Sequence, residues 1–274
     1  MCNPFGVLYN PLSIASCLTL SIDGQHLDDR MLVRHDGLWH SWLHHTSLSH
    51  PDRDTCLQQC NERIDATHRF LQECDTLIIT WGTAYAYYLN THPDNAEPLH
   101  PPLLVANCHK VAAHHFNRHR LSVDEIVNYW QPLLQRLSQL PRKPRIIFTV
   151  SPIRHLSDGA HGNQLSKATL HLALDQIISE FGIQNSEFRI NYFPAYEIMM
   201  DELRDYRYYE RDMLHPSNLA VDLIWQRFQQ TFLQSETIEK VQYGEKAFRQ
   251  SQHRTISKTI NGGSVVSSYS GLTK

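Results

Sequence analysis

An aspartate and a histidine three residues apart, Asp212 and His215, form the most chemically suggestive pair in the sequence. A carboxylate at this spacing can accept from Nδ1 of the imidazole, which fixes the tautomer and leaves Nε2 to act as a base. Pro216 and Ser217 follow the pair and predict the start of a helix. The pair therefore fits the base half of a Ser-His-Asp acyl-transfer site.

The Asp-x-x-His spacing alone is weak evidence, because the chain contains it at other positions as well. Asp23–His26 falls in a polar stretch, and Asp65–His68 falls on a predicted helix. Of these three pairs, only Asp212–His215 lies on a loop that leads into a helix. The alternative for this pair is a capping aspartate beside a surface histidine.

Composition bounds the class of protein. The chain has 274 residues, 41% of them hydrophobic, and a net charge of −3, which favours one soluble α/β domain and no nucleic-acid partner. No apolar stretch is long enough for a membrane span. The six cysteines contain no Cys-x-x-Cys pair, so reduced thiols and a cytoplasmic location are expected, and no cofactor is indicated.

Short apolar runs alternate with amphipathic stretches, a rhythm typical of β-α-β units. Thr76–Trp81 and Arg145–Val150 are predicted as buried parallel strands, and Phe188–Phe193 as a third strand. The predicted helices are Pro51–Glu73, Ser122–Gln139 with a capping box, and Ser166–Phe181 with Ser166 as its N-cap. Three strands make a thin sheet, since such sheets usually have about five.

Active sites in doubly wound sheets lie at the carboxyl ends of the strands, so the residues after each predicted strand are candidates. Gly82 could aim an amide at an oxyanion, and Thr83 could add a hydroxyl donor. Arg154 and His155 follow the second strand and could orient a polar substrate. The structural alternatives are a strand-ending glycine and a loop that satisfies its own carbonyls.

Many ordered blocks between Asn3 and Phe232 together resemble the GSCFA family. The blocks are Asn3–Pro11, Trp39–Trp42 with His44 and His45, Gly82–Tyr85, Asn107–Lys110, Ser151–Leu156, Ser166–Ala168, Tyr192–Glu197, Asp201–Arg207 and Asp212–Pro216.

That family is similar to SGNH-type (GDSL-like) esterases, which implies a flavodoxin-like three-layer sandwich with a parallel sheet and ester hydrolysis or acyl transfer. The resemblance assigns Asp212 and His215 to the catalytic machinery, acting with a serine. It assigns Gly6 to the second conserved block and Gly82 with Thr83 to the third. Thr83 stands where the superfamily usually has asparagine. The implied substrate is a small-molecule or carbohydrate ester.

The namesake Gly-Ser-Cys-Phe-Ala block should precede Asn3, itself a candidate substrate contact, and the sequence shows no such block. We therefore expect an N-terminally incomplete product that lacks the nucleophile and a central strand. Each unpaired buried backbone group costs roughly 1 to 3 kcal/mol, so low stability and no hydrolytic activity are expected. Ser41 and Ser151 are weaker candidates for a substitute nucleophile.

Two other functions remain open. His40/His44 and His115/His119 are spaced i, i+4, which on a helix would suit a metal-dependent hydrolase, although neither pair encloses a glutamate. A non-catalytic carbohydrate- or protein-binding module could instead use an aromatic run, comprising Tyr192, Phe193, Tyr196, Tyr206, Tyr208 and Tyr209.

The last part of the chain changes in character. From Gly244 onward the sequence has few large apolar residues, several cationic ones and a Gly-Ser-rich end. We predict a hydrolase-like domain over residues 1–243 and a flexible tail over 244–274.

Overall fold

The computed structural model describes residues 1–93, 97–184 and 188–252, which contain eight strands and seven α-helices. The helices are α1 (Pro11–Asp23), α2 (Arg53–Glu73), α3 (Val123–Ser138), α4 (Gly159–Gln184), α5 (Ala195–Glu197), α6 (Asn218–Phe232) and α7 (Ser235–Gln252). The strands are β1 (Leu32–His35), β2 (Leu38–Ser41), β3 (Thr76–Trp81), β4 (Tyr85–Thr91), β5 (Pro98–Val105), β6 (Phe116–Arg120), β7 (Arg145–Val150) and β8 (Ile190–Phe193).

A parallel sheet in the order β3-β7-β8 confirms the α/β class and all three predicted strands. The bounds of β3 and β7 agree with the prediction, and β8 is shorter, beginning at Ile190. Strand β7 is central and buried from Ile146 to Val150, as its continuous apolar sequence requires.

Strand β3 departs from the prediction of a fully buried strand. Ile79 and Trp81 face the core, whereas Ile78 is 53% exposed and lies between the exposed Thr76 and Thr80. The reason is position, because β7 is the one strand that pairs with β3 in the described chain. A strand at the edge of a sheet can leave one face open despite an apolar sequence.

Two antiparallel sheets were not predicted. Strands β1 and β2 form a hairpin, and a second sheet has the order β5-β4-β6. Strand β4 starts at Tyr85, shortly after the end of β3. The residues that follow the first parallel strand therefore lead directly into this second sheet.

The predicted helices are confirmed except at the start of α4, whereas α1 was not predicted. Ser122 caps α3 with a full capping box that includes Glu125. Helix α4 begins at Gly159, so the prediction of Ser166 as its N-cap is wrong. Ser166 is buried inside the helix, where its hydroxyl accepts from the amide of Ala84 at 2.7 Å. The role of Ser166 is therefore to bond the chain after β3, and not to cap a helix.

One aromatic cluster fills the space between the parallel sheet and α3. The rings of Trp81, Trp130 and Phe148 have centroids 5.2 to 5.3 Å apart and are fully buried. Edge and tilted contacts of this kind add to the hydrophobic free energy of burial. This core fixes the ends of β3 and β7, from which the candidate site is built.

Contacts divide the chain into two units, Met1–Ile224 and Trp225 onward. Ser217 precedes α6, and its hydroxyl accepts from the amide of Ala220 at 3.4 Å, as predicted for a capping residue. Helix α7 continues through Gly244 to Gln252, so the first residues of the predicted tail are helical. The rest of that tail lies outside the described residues. Within the described chain, none of the helices has the length and apolarity that crossing a bilayer needs.

Candidate active site at the carboxyl end of the parallel sheet

Asp212 and His215 form a close pair on the loop before α6. Nδ1 of His215 lies 2.5 Å from Oδ2 of Asp212. The other carboxylate oxygen accepts from the amides of Leu214 and His215, at 2.9 and 3.0 Å. The aspartate thus holds both the ring and the backbone that carries it, which is the orientation predicted from the sequence.

Electrostatics keeps Asp212 ionised. Hydrogen bonds from the amides of His215 and Leu214, and then from the His215 ring, lower the pKa of the Asp212 carboxyl to about 2. The two side chains are 46% and 56% exposed, so Nε2 of His215 is open to a reactant. Among the described residues, no hydroxyl or thiol bonds to this nitrogen. The pair can therefore accept a proton from an incoming group.

Backbone contacts give the loop a defined shape. Met213 has φ +61°, a left-handed conformation that side-chain-bearing residues seldom adopt. Its carbonyl accepts from Nη2 of Arg154 at 2.6 Å, and Tyr209 bridges to Pro216. The loop is thus attached to the segment that follows β7. The structure brings Arg154 and His215 into one neighbourhood, as the carboxyl-end rule predicts.

His155 is half-buried beside Arg154. Its amide donates to Oδ1 of Asn163 at 2.9 Å, and its ring lies edge-on to Tyr9, with centroids 6.1 Å apart. Burial is the main cause that lowers the pKa of His155, and the charge of Lys167 adds to it. His155 is therefore a poor proton acceptor and suits a role in positioning the loop.

Gly82 and Thr83 lie where predicted, at the carboxyl end of β3, but their amides are occupied. Both donate to the carbonyl of Tyr9, at 2.7 and 3.0 Å. The Thr83 hydroxyl lies 3.1 Å from that of Ser166. Neither amide is free to bind an oxyanion in this structure, so the expected oxyanion donors serve instead to attach the N-terminal segment to the sheet.

Gly6 and Asn3 form a turn in that N-terminal segment. The Gly6 amide donates to the carbonyl of Asn3 at 2.9 Å, so it too is engaged. Gly6 has φ +81°, and a Cβ there would lie 2.1 Å from Cβ of His45. Glycine is required by this packing and dihedral angle, and a role in oxyanion binding is not needed to explain it.

Lys167 is a residue of the site that the sequence reasoning did not single out. It is fully buried on α4, and Nζ donates to the carbonyls of Gly82 and Ser151, both at 2.7 Å. Those carbonyls end β3 and β7, so one ammonium group joins the two strand ends. Burial lowers the pKa of Lys167 to about 7, because no carboxylate in the described chain pairs with it. The sequence did carry one signal for this residue. Lys167 is three residues before Leu170, so on a helix it lies on the same face as that buried leucine.

The two histidine pairs do not lie on helices, as the metal-site alternative assumed. His40 lies in β2 and His44 follows that strand, while His115 and His119 lie in a 3-10 turn and in β6. Their i, i+4 spacing therefore does not place them on one helix face. Across the described ranges, no three His, Cys, Asp or Glu side chains are grouped to hold a metal ion.

Ser41 and Ser151 have partners other than His215. The Ser41 hydroxyl lies 2.9 Å from Nδ1 of His44, and both residues are buried. The Ser151 hydroxyl accepts from the amide of Ile153 at 3.3 Å. Neither serine is placed by these contacts to donate to the exposed imidazole of the candidate site.

The aromatic run does not form one surface. Phe193 and Tyr196 are buried, and Tyr192 donates to Glu197 at 2.7 and 2.9 Å. Tyr206 is 80% exposed. The run therefore divides between core packing and isolated surface positions.

Comparison with known proteins identifies a family and no more. No curated protein and no solved structure matches the chain. A sequence model of the GSCFA family matches residues 1–228, which include β1 to β8 and the Asp212–His215 loop. The chain belongs to the GSCFA family.

Proposed function

We propose that the site performs ester hydrolysis or acyl transfer of the SGNH type, with His215 as the general base. The observation that carries the proposal is the 2.5 Å contact between Nδ1 of His215 and an ionised Asp212, with Nε2 left open. A carboxylate on Nδ1 favours the tautomer in which Nε2 has a lone pair. The pair is thus prepared to take one proton and return it.

In the proposed reaction, His215 takes the proton of a hydroxyl group as its oxygen attacks the ester carbonyl. Asp212 stabilises the imidazolium that forms. The tetrahedral intermediate then collapses, and the imidazolium returns the proton to the leaving alkoxide. Water as the attacking group gives hydrolysis, and an alcohol gives acyl transfer.

The order β3-β7-β8 supports a flavodoxin-like, three-layer architecture. It would correspond to strands 3-4-5 of a 2-1-3-4-5 sheet, with the open edge of β3 where strand 1 would pair. The described residues offer no serine to His215. We therefore propose that serine-dependent turnover is absent, and that the remaining activity uses a hydroxyl from solution.

The test is hydrolysis of p-nitrophenyl esters by the whole chain. A general base that activates water accelerates hydrolysis by roughly a hundredfold or more, so loss of the base costs that factor. We expect weak saturable turnover that falls by about this factor in His215→Gln. A fluorophosphonate probe should label no serine.

The chain supplies a matched control for this variant. His26 lies 2.8 Å from Asp65, and the two side chains are 53% and 41% exposed, close to the values of the candidate pair. His26→Gln should leave turnover within about twofold, since this pair lies away from the strand ends. Equal turnover in the wild type and His215→Gln, or no saturable turnover at all, would contradict the proposal.

A further inference from the structure

Arg154 has hydrogen-bonding capacity that the described part of the chain does not use. A guanidinium carries several N–H donors in a planar fork. One acceptor in the described chain meets this fork, the carbonyl of Met213 at 2.6 Å from Nη2. Nε is buried and has no acceptor among those residues. Buried donors are usually satisfied, so an orphaned one beside a candidate active site indicates a ligand.

The carboxylates of the surrounding segments are already engaged. Asp212 accepts from its own loop, as described above. Asp201 accepts from Arg204 at 3.1 Å, an ion pair between residues three apart in the chain. Glu197 accepts from the hydroxyl of Tyr192. Arg154 consequently forms no ion pair with a carboxylate of the described chain, in contrast to Arg204.

Two further basic side chains lie near this part of the site. Lys167 and Arg118 both act electrostatically on His155, the neighbour of Arg154 in sequence, and Asp158, which pairs with Arg118, opposes them. The ring of Tyr209 lies 5.3 Å from Cζ of Arg154 and supports the guanidinium plane. A cation held in this way loses little freedom when it binds an anion.

We propose that Arg154 binds an oxyanion group of the substrate, a carboxylate, phosphate or sulfate, beside His215. The planar guanidinium suits such groups because two N–H donors can bind two oxygens at once. The substrate would then be an anionic ester, an assignment that rests on the proposed function. Anion binding itself needs no turnover, so the two ideas can fail separately.

Sulfate is the probe, compared with chloride at equal ionic strength on the whole chain. The N–H cross-peak of Arg154 Nε in a nitrogen-15 NMR spectrum reports on the donor itself. We expect sulfate to shift this resonance in a saturable way, and calorimetry to give the same affinity. His215→Gln should retain the sulfate affinity while it loses turnover.

The matched variants are Arg154→Lys and Arg211→Gln. Lysine keeps the charge and can still reach Met213, but it lacks the fork, so sulfate affinity should fall roughly tenfold or more. Arg211 is an exposed cation on the same loop, and its replacement should change affinity by less than about twofold. Folding of both variants is checked by urea unfolding.

Three results would overturn the proposal. They are a resonance of Arg154 that responds equally to sulfate and chloride, an Arg154→Lys variant with unchanged affinity, and an Arg211→Gln variant that loses as much affinity as Arg154→Lys. Loss of turnover in His215→Gln with no sulfate effect would support the proposed function and reject the anionic substrate.

Discussion

Two groups of histidines occupy opposite environments in this chain. His215 is exposed and bound to the carboxylate of Asp212. His44 and His109 are buried without any carboxylate contact in the described chain, and burial is the main cause that lowers their pKa values to about 3 and about 4. Buried imidazoles of this kind stay neutral at physiological pH.

This difference shows that the environment of a histidine, and not its spacing from other residues in the sequence, decides whether it packs in the core or can exchange a proton. His44 stacks on Phe5 with ring centroids 4.6 Å apart, and His109 stacks on His40 at 4.5 Å. Nε2 of His109 meets the carbonyl of Ser41 at 2.7 Å. These rings pack like aromatic core residues. Unlike these two buried rings, His215 combines access to solvent with an acid partner.

The largest expected effect comes from removing the acid of the exposed pair. Asp212→Asn keeps an oxygen for the amides of Leu214 and His215 but presents an amide N–H to Nδ1. The ring should then change tautomer and carry its proton on Nε2, which would lower turnover about as much as loss of the base in His215→Gln, roughly a hundredfold or more. Nitrogen-15 shifts of His215 report the tautomer, and kcat/KM reports the rate.

Asp65→Asn is the matched control, because Asp65 contacts Nε2 of His26 on an equally exposed surface. It should leave both the His215 shifts and turnover unchanged. If Asp212→Asn left the His215 tautomer unchanged, the carboxylate would not be the group that sets it.

The buried lysine should give the next largest effect. Lys167 has a pKa of about 7 in the folded protein and 10.5 as its ordinary value, so between these pH values only the unfolded chain binds the proton. Stability therefore rises with pH in this window, by up to about 1.4 kcal/mol per pH unit. Urea unfolding between pH 7 and 9 should show this slope in the wild type and lose it in Lys167→Met.

Lys240 provides the control, since it is an exposed lysine paired with Glu236 at 2.7 Å. Lys240→Met should keep the slope of the wild type. A wild-type stability that stays flat between pH 7 and 9 would show that Lys167 remains charged in the folded protein.

The buried histidines should produce a pH dependence of the same sign as Lys167, but in a more acidic range. The pKa of His44 falls from 6.5 to about 3 on folding, so below pH 6.5 the unfolded chain takes up a proton that the folded chain refuses. Stability therefore falls with acidification, by up to about 1.4 kcal/mol per pH unit for this residue. His44→Phe keeps a ring against Phe5 and removes the titration.

The gain in stability of His44→Phe over the wild type should thus increase between pH 6.5 and pH 5. His109 and Arg63 also face His44 electrostatically, and both remain in the variant. If the free energies of unfolding of the wild type and of His44→Phe changed by the same amount between pH 6.5 and pH 5, His44 would not take up a proton on unfolding.

Local sequence was sufficient for part of this structure. The β-branched runs of β3 and β7 gave their bounds, because a buried parallel strand leaves a continuous apolar signal. The Asp212–His215 contact followed from spacing on one loop. In both cases the partners lie on a short stretch of chain, so pattern and structure coincide.

Other features depend on contacts between distant segments. The amides of Gly82 and Thr83 are taken by Tyr9, more than seventy residues earlier in the chain. Lys167 is buried because the ends of β3 and β7 surround it. Neither partner can be read from the spacing of nearby residues, so the oxyanion role expected for Gly82 could not be checked from sequence.

The smallest expected effect is the difference in stability loss between alanine variants of two glycines with similar backbone angles. Gly6 has φ +81° and Gly37 has φ +78°. A Cβ at Gly37 would meet nothing within 4 Å, whereas at Gly6 it would lie 2.1 Å from Cβ of His45. Gly37→Ala should therefore cost only the left-handed dihedral, roughly 1 to 2 kcal/mol. Gly6→Ala should add a packing cost of about 1 to 3 kcal/mol.

Urea unfolding at one pH measures the free energy of unfolding of both variants. Gly6 is the point where the N-terminal segment packs on the turn that carries His44, through a bond from the His45 amide to the carbonyl of Phe5 at 2.8 Å. A larger loss for Gly6→Ala would show that this segment is anchored by the buried histidines. Equal losses would mean that the segment moves away without cost, and the buried histidines would then not need it for their packing.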